Sequence, residues 1–197
     1  MSEYLVEDYG PVSHAKVYGL DESIKRAKYP MSVDPDSLNE ELTPGVAALA
    51  SSPKGEGHDN WLNGVVVQFD LTFTVKAWTE AQRYHFLDFV SSQSTMHRIA
   101  RFDLDGQYSP YTDPRCVEVV KELVDRYNET KDPEDYLRIL YSNPCGFRLT
   151  AGMTTNYRQL KTIYAQRKNH RLPEWREFCH WIERLPMAEK LIVPMDN

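Results

Sequence analysis

Asn156, Arg158 and Arg167 fall within one stretch, TTNYRQLKTIYAQRKNHRLPEWREFC (154–179), and between them carry the chemistry of anion recognition. A guanidinium presents paired donors that match two oxygens of a phosphate or carboxylate. Arg158 and Arg167 stand about two and a half helical turns apart, so they do not share one face of a straight helix. Either they serve different ligands or the helix ends near Arg167. A helix N-terminus at Thr154 to Asn156 would add unpaired amides and a positive dipole end. Arg98 and Arg167 are suited to gripping a phosphate bidentately, and Tyr84, Tyr108, Tyr111 and Tyr157 to stacking on a base. The KNHR run at 168–171 reads as a cationic helix end. His58, His85 and His97 lack metal-ligand spacing, so no metal site is expected.

The elements that must position these groups follow from local pattern. Asp21 is placed to cap a helix over DESIKRAKY, which Pro30 ends. Residues 31–64 are rich in Pro, Ser and Gly and read as an irregular lid or intersubunit arm, helical only over Ser37 to Ala50, where Pro44 weakens the pattern. In VVVQFDLTFTVKAW the residues Val65, Val67, Phe69, Leu71, Phe73 and Val75 share one face, the pattern of a long half-buried strand suited to antiparallel pairing. Thr79 with Gln82 forms a capping box for a helix carrying Ala81, Tyr84, Phe86, Phe89 and Val90. Asp113-Pro114 and Asp132-Pro133 each open a further helix, and Phe147 to Met153 is a strand or a helix entry. Helices over about Thr155 to Lys168 and Pro173 to Leu185 close the chain. One strong strand among several helices, without regular alternation, predicts a single α+β domain over residues 1–197, an antiparallel or mixed sheet flanked by helices.

Composition narrows the classes of function. The 197 residues carry 41% hydrophobic and 26% charged side chains, which describes a globular protein. Three cysteines, Cys116, Cys145 and Cys179, make no C-x-x-C pair, so neither a disulfide framework nor a structural zinc site is expected. The MSEYLVEDYG start has no signal-peptide pattern and no run has the length of a membrane span, so a cytoplasmic protein is expected. A formal net charge of -6 argues against bulk nucleic-acid binding but leaves room for a local pocket for one small anion.

Several phrases together resemble the flavin-dependent thymidylate synthase family: VYGLDESIKRAKYPM, GHDNWLNG, the strand ending FTVKA with the helix after it, and NPCGFRLTAGMTTNYRQLKTIYAQRKNHRLPEWREF. The resemblance covers most of the chain in order, with its specific part in the C-terminal block. It implies a homotetramer of α+β subunits in which FAD and dUMP meet, and a folate donor gives one carbon to carbon 5 of uracil. By that resemblance His58, Asn156 and Arg158 fall on the flavin side, and Ser91, Arg98, Arg138 and Arg167 on the dUMP side.

The chain also departs from the family pattern. Phe86-Leu87-Asp88 stands where the family has R-H-R, Asn63 replaces an acidic residue, and Gln93-Ser94-Thr95-Met96 replaces N-E-x-S. A carboxylate beside a flavin pyrophosphate is repulsive, so ordinary FAD dependence is not expected. No catalytic residue is assigned. The resulting expectation is a pyrimidine-nucleotide (dUMP-like) enzyme of one-carbon transfer. The alternatives are a catalytically inactive nucleotide-binding or regulatory homo-oligomer, or an interaction module that keeps only the scaffold.

Overall fold

A computed structural model describes residues 1–53 and 55–193. Lys54, within the expected lid or arm, and the last four residues of the expected 1–197 domain lie outside the described residues. The chain divides into two compact units: unit 1 comprises residues 1–71, 84–90 and 152–197, and unit 2 comprises residues 72–83 and 91–151.

Unit 1 begins with strands β1 (Glu3–Val6) and β2 (Val12–Tyr18), followed by helix α1 (Leu20–Ala27) and helix α2 (Pro44–Ala50). Strand β3 (Val66–Thr74) carries the alternation read from sequence: Val67, Phe69, Leu71 and Phe73 are all buried. β1 pairs with β2 and β2 with β3, both antiparallel, in a five-stranded sheet of order β1-β2-β3-β5-β4. The α+β class therefore holds. Helix α1 is not capped by Asp21. Gly19 occupies the N-cap at φ +72°, and Asp21 lies in the first turn, where its carboxylate accepts the Tyr4 hydroxyl. A Cβ at Gly19 would stand 2.8 Å from the Gly64 carbonyl, so glycine serves both the left-handed turn and the close approach of α1 to the Asn60–Gly64 turn. Pro44 does not weaken α2 but starts it: Thr43 caps the helix, and proline at the first position loses no hydrogen bond.

Helix α3 (Val75–Ala81) opens unit 2 and corrects a second expectation, because its cap is Thr74, whose hydroxyl accepts the Ala77 amide, and not Thr79. The helix ends at Ala81. Tyr84, Phe86, Phe89 and Val90 therefore do not continue it; strand β4 (Asp88–Ser92) follows, then the short helix α4 (Thr95–Arg98). Helices α5 (Pro114–Thr130) and α6 (Pro133–Ser142) start where the Asp-Pro pairs place them, with Asp113 and Asp132 as side-chain caps. The unit 2 core joins Ile99, Leu104, Val120, Val124, Ile139 and Phe147. Strand β5 (Arg148–Asn156) settles the open reading of Phe147 to Met153 in favour of a strand.

The closing elements return to unit 1: α7 (Tyr157–Arg167), α8 (Pro173–Ile182) and α9 (Ala188–Leu191). Phe69, Phe178 and Trp181 form the aromatic centre of this unit, with ring centroids 5.0 to 5.8 Å apart. Trp175 and Trp181 are fully buried, and loss of such a ring costs about 3–5 kcal/mol.

Candidate functional site

Helix α7 separates an apolar face from a polar one. Tyr157, Leu160, Ile163 and Tyr164 are buried, while Arg158, Lys161, Thr162 and Ala165 recur at helical spacing on a face that lines a cleft of about 390 Å³. Asp59, Asn63, Phe86, Asn156, Gln159 and Gln166 complete the wall. The helix start is fixed from two sides. The Asn156 carboxamide oxygen accepts the Gln159 amide at 2.9 Å, and the Tyr157 amide donates to the Val65 carbonyl at 3.1 Å. Thr154 to Asn156 is thus the end of β5 and not a free helix N-terminus, and two of the first amides expected to meet an anion are already bonded.

Asp59 organises the charge in this cleft. It is 7% exposed, and its two oxygens accept separately from Arg158 Nε at 3.1 Å and Lys161 Nζ at 3.0 Å. Lys161 also donates to the Ala50 carbonyl at the end of α2, which ties that helix to α7. Two cations against one carboxylate leave the cluster with net positive charge. The terminal nitrogens of Arg158 make no bond to another described residue, so the part of the guanidinium best shaped for a phosphate is available. Asp59 and Lys161 were not singled out from sequence. The only local signal is that Asp59 directly follows His58 and that Lys161 falls one turn after Arg158.

The other expected residues are distributed as follows. His58 is exposed beside Asp59 and does not line the cleft. Arg167 ends α7, the second of the two alternatives set by its spacing from Arg158. Its Nε donates to the Tyr84 hydroxyl at 2.6 Å, and its guanidinium carbon lies 5.3 Å from the Tyr84 ring centre and 4.9 Å from that of Trp175. Tyr84 in turn donates to Gln166, a cleft residue, at 2.9 Å. Ser91, Arg98 and Arg138 belong to unit 2. Ser91 is exposed on β4, Arg98 is exposed at the end of α4, and Arg138 bonds the Asp135 carboxylate at 2.7 Å.

Two tyrosines do not suit base stacking. Tyr157 is fully buried with its hydroxyl on the Pro186 carbonyl. Tyr108 bonds Asn143, packs edge-on to Phe147, and has its hydroxyl pKa pushed up to about 12 by burial. Cys179 is buried and its thiol is pushed up to about 12, which leaves it protonated and a poor nucleophile. Among the described residues no three His, Cys, Asp or Glu side chains group to hold a metal ion, and no helix is long and apolar enough to cross a membrane.

No protein-family model and no curated protein matches the sequence. Solved structures do match the fold. Flavin-dependent thymidylate synthase ThyX from Helicobacter pylori, complexed with FAD and dUMP, superposes with a TM-score of 0.70 at 13% identity, covering 97% of this chain and 98% of that one. A second structure of that enzyme with FAD and dUMP gives a TM-score of 0.71 at 13% identity, covering 98% and 97%. The UMP/dUMP methylase PolB from Streptomyces cacaoi, bound with 5-Br dUMP, gives a TM-score of 0.65 at 15% identity, covering 96% and 94%. The chain therefore has the fold of the flavin-dependent thymidylate synthases, as the resemblance implied.

Proposed function

We propose that the unit 1 cleft binds a pyrimidine nucleoside monophosphate of the dUMP kind, with Lys161 and Arg158, which the resemblance would put on the flavin side, at its phosphate. The observation that carries this reading is the Asp59, Arg158 and Lys161 cluster, in which one carboxylate pre-positions two cations on a cleft wall. The solved structures of this fold support it, since they hold dUMP or 5-Br dUMP. Holding the cations in place before the ligand arrives lowers the ordering cost of binding.

The proposed reaction is transfer of the methylene carbon of a folate donor to carbon 5 of the uracil ring: the new carbon–carbon bond forms as the folate nitrogen–carbon bond breaks, the carbon-5 proton leaves to water, and a hydride donor, the reduced folate itself or an external reductant, completes the methyl group. A flavin does not fit the residues in the signature positions: Phe86 lines the cleft as an apolar ring, Leu87 is buried and Asp88 is an exposed carboxylate, so none offers a cation to a pyrophosphate. Ordinary FAD dependence therefore lies outside the proposed activity. The same three residues favour a second reading, a nucleotide-binding regulator without catalysis. Arg167 is proposed to serve the nucleotide, with His58 and Asn156 beside the cofactor; Ser91 and Arg98 are proposed to reach a nucleotide through assembly into a homo-oligomer, a tetramer by resemblance, and Arg138 is proposed as a staple on Asp135. Incubation with dUMP tritiated at carbon 5 and a methylene-folate donor, with added reductant, separates the two readings. Release of tritium to water is expected for the enzyme, binding without release is expected for the regulator, and no binding overturns both.

A further inference from the structure

The cation pair accounts for one part of the cleft, and Phe86 marks another. It lines the same cleft, yet its residue surface is 64% exposed. Its backbone stands at φ +64°, a left-handed conformation that is a genuine outlier for a bulky residue. The turn is held by its surroundings: the Thr155 hydroxyl donates to the Phe86 carbonyl at 2.6 Å, and the adjacent Leu87 is buried. The fold thus sustains a strained backbone and a wet aromatic ring at one position. Among the described residues the ring stacks on no other ring and faces no cation. An apolar side chain that the protein leaves uncovered at a cleft offers its face to whatever the cleft binds.

Besides the Asp59, Arg158 and Lys161 cluster and Thr162, the polar residues that line the cleft are carboxamides. Asn63, Gln159 and Gln166 line the cleft with Phe86, and a carboxamide carries both an acceptor and donors. The edge of a uracil ring alternates acceptor, donor and acceptor, so carboxamides match it where a carboxylate or an ammonium would match only half. We propose that Phe86 is the stacking platform for the planar nitrogen heterocycle of the bound nucleotide, with Asn63, Gln159 and Gln166 around the ring's edge. This rests on the nucleotide reading above and assigns the base to a different part of the cleft from the phosphate. Phe86 is a recognition residue here, one that decides affinity for the base and not for the sugar phosphate.

The test titrates the full chain by calorimetry with two probes that share a phosphate, dUMP and 2-deoxyribose 5-phosphate. Phe86→Gly is expected to lose about tenfold in dUMP affinity, the scale of base stacking on an aromatic side chain, and to keep its affinity for the sugar phosphate. It is also expected to melt no lower than the parent, because glycine accepts the positive φ. Phe86→Leu, which keeps apolar bulk without a π face, is expected to lose dUMP in the same way, and Phe86→Trp to retain it. Unchanged dUMP affinity in the glycine and leucine variants overturns the proposal and leaves the phosphate site standing. Equal loss of both probes also overturns it, as does a change confined to sedimentation behaviour, which would make the ring a contact between copies of the chain. If the parent binds neither probe, the nucleotide reading falls and this inference falls with it.

Discussion

Asp59 in unit 1 and Asp135 in unit 2 are both buried carboxylates that hold two cations. Asp59 bonds Arg158 and Lys161, while Asp135 bonds Arg126 at 2.9 Å and Arg138 at 2.7 Å and accepts the Thr130 hydroxyl at 2.8 Å. Their settings differ. Asp135 stands in the first turn of α6 and Thr130 ends α5, so this knot staples two helices across a tight turn whose Lys131 has φ +53°. Its arginine side chains are 59% and 49% exposed and spread into water. The Asp59 cations are more covered, at 38% and 25%, and line a concave wall. A carboxylate with two cations is therefore not by itself a binding site. The cleft around it is what makes the charge usable by a ligand.

Substitutions test that contrast directly. The largest expected effect is on Asp59. In Asp59→Ala two cations lose their shared acceptor, and the chain is expected to lose about 3 kcal/mol of stability in urea unfolding, the lower end for a broken buried pair because both cations keep some water. Next is Arg158→Ala, expected to weaken dUMP binding ten- to a hundredfold, about the 1.5–3 kcal/mol of a hydrogen bond to a charged group, with a smaller fall in stability than Asp59→Ala because Lys161 still pairs with Asp59. Arg138→Ala is the counterpart in unit 2. As a staple residue it is expected to change dUMP affinity less than about twofold, the scatter of independent sites, while lowering the melting temperature. A loss like that of Arg158→Ala would erase the distinction drawn between the two aspartates.

The smallest effect is on pH dependence. The Thr130 hydroxyl, joined by Arg126 and Arg138 against the opposing effect of burial, holds the Asp135 carboxyl below its ordinary value. A depressed folded-state pKa contributes stability that is complete above the unfolded value, about 3.9, and is lost as the pH falls through the folded value. Acid unfolding of the parent should therefore steepen below about pH 4, and Asp135→Asn should flatten that part of the curve. An identical acid limb in both proteins would remove the staple from the account.

Much of the scaffold was legible in local pattern because local chemistry decides it. The alternation in β3, the Asp-Pro starts of α5 and α6 and the span of α7 each need only neighbouring residues. The stretch from Gln82 to Ser92 was not legible. Its apolar spacing fits a helix, but Thr74 takes the cap, the helix stops at Ala81, and the chain turns through Phe86 into a strand that joins the sheet beside β5. Tertiary pairing outweighed the helical pattern there. In the cleft, Asn156 and Arg158 were visible from the phrase around them. Asp59 was not, because its two bonds reach across 99 and 102 residues of sequence. Tyr157 suits base stacking by residue type alone, and only the packed fold shows that it is buried with its hydroxyl on Pro186.

Calorimetric titration of the full chain with dUMP and with 2′-deoxyuridine tests the central claim most directly, because the two differ only in the phosphate assigned to Arg158 and Lys161. The account predicts that dUMP binds at least about tenfold more tightly than the nucleoside, and that Arg158→Ala with Lys161→Ala abolishes the difference. Equal affinity for the two ligands, or a dUMP preference that survives the double substitution, would contradict it.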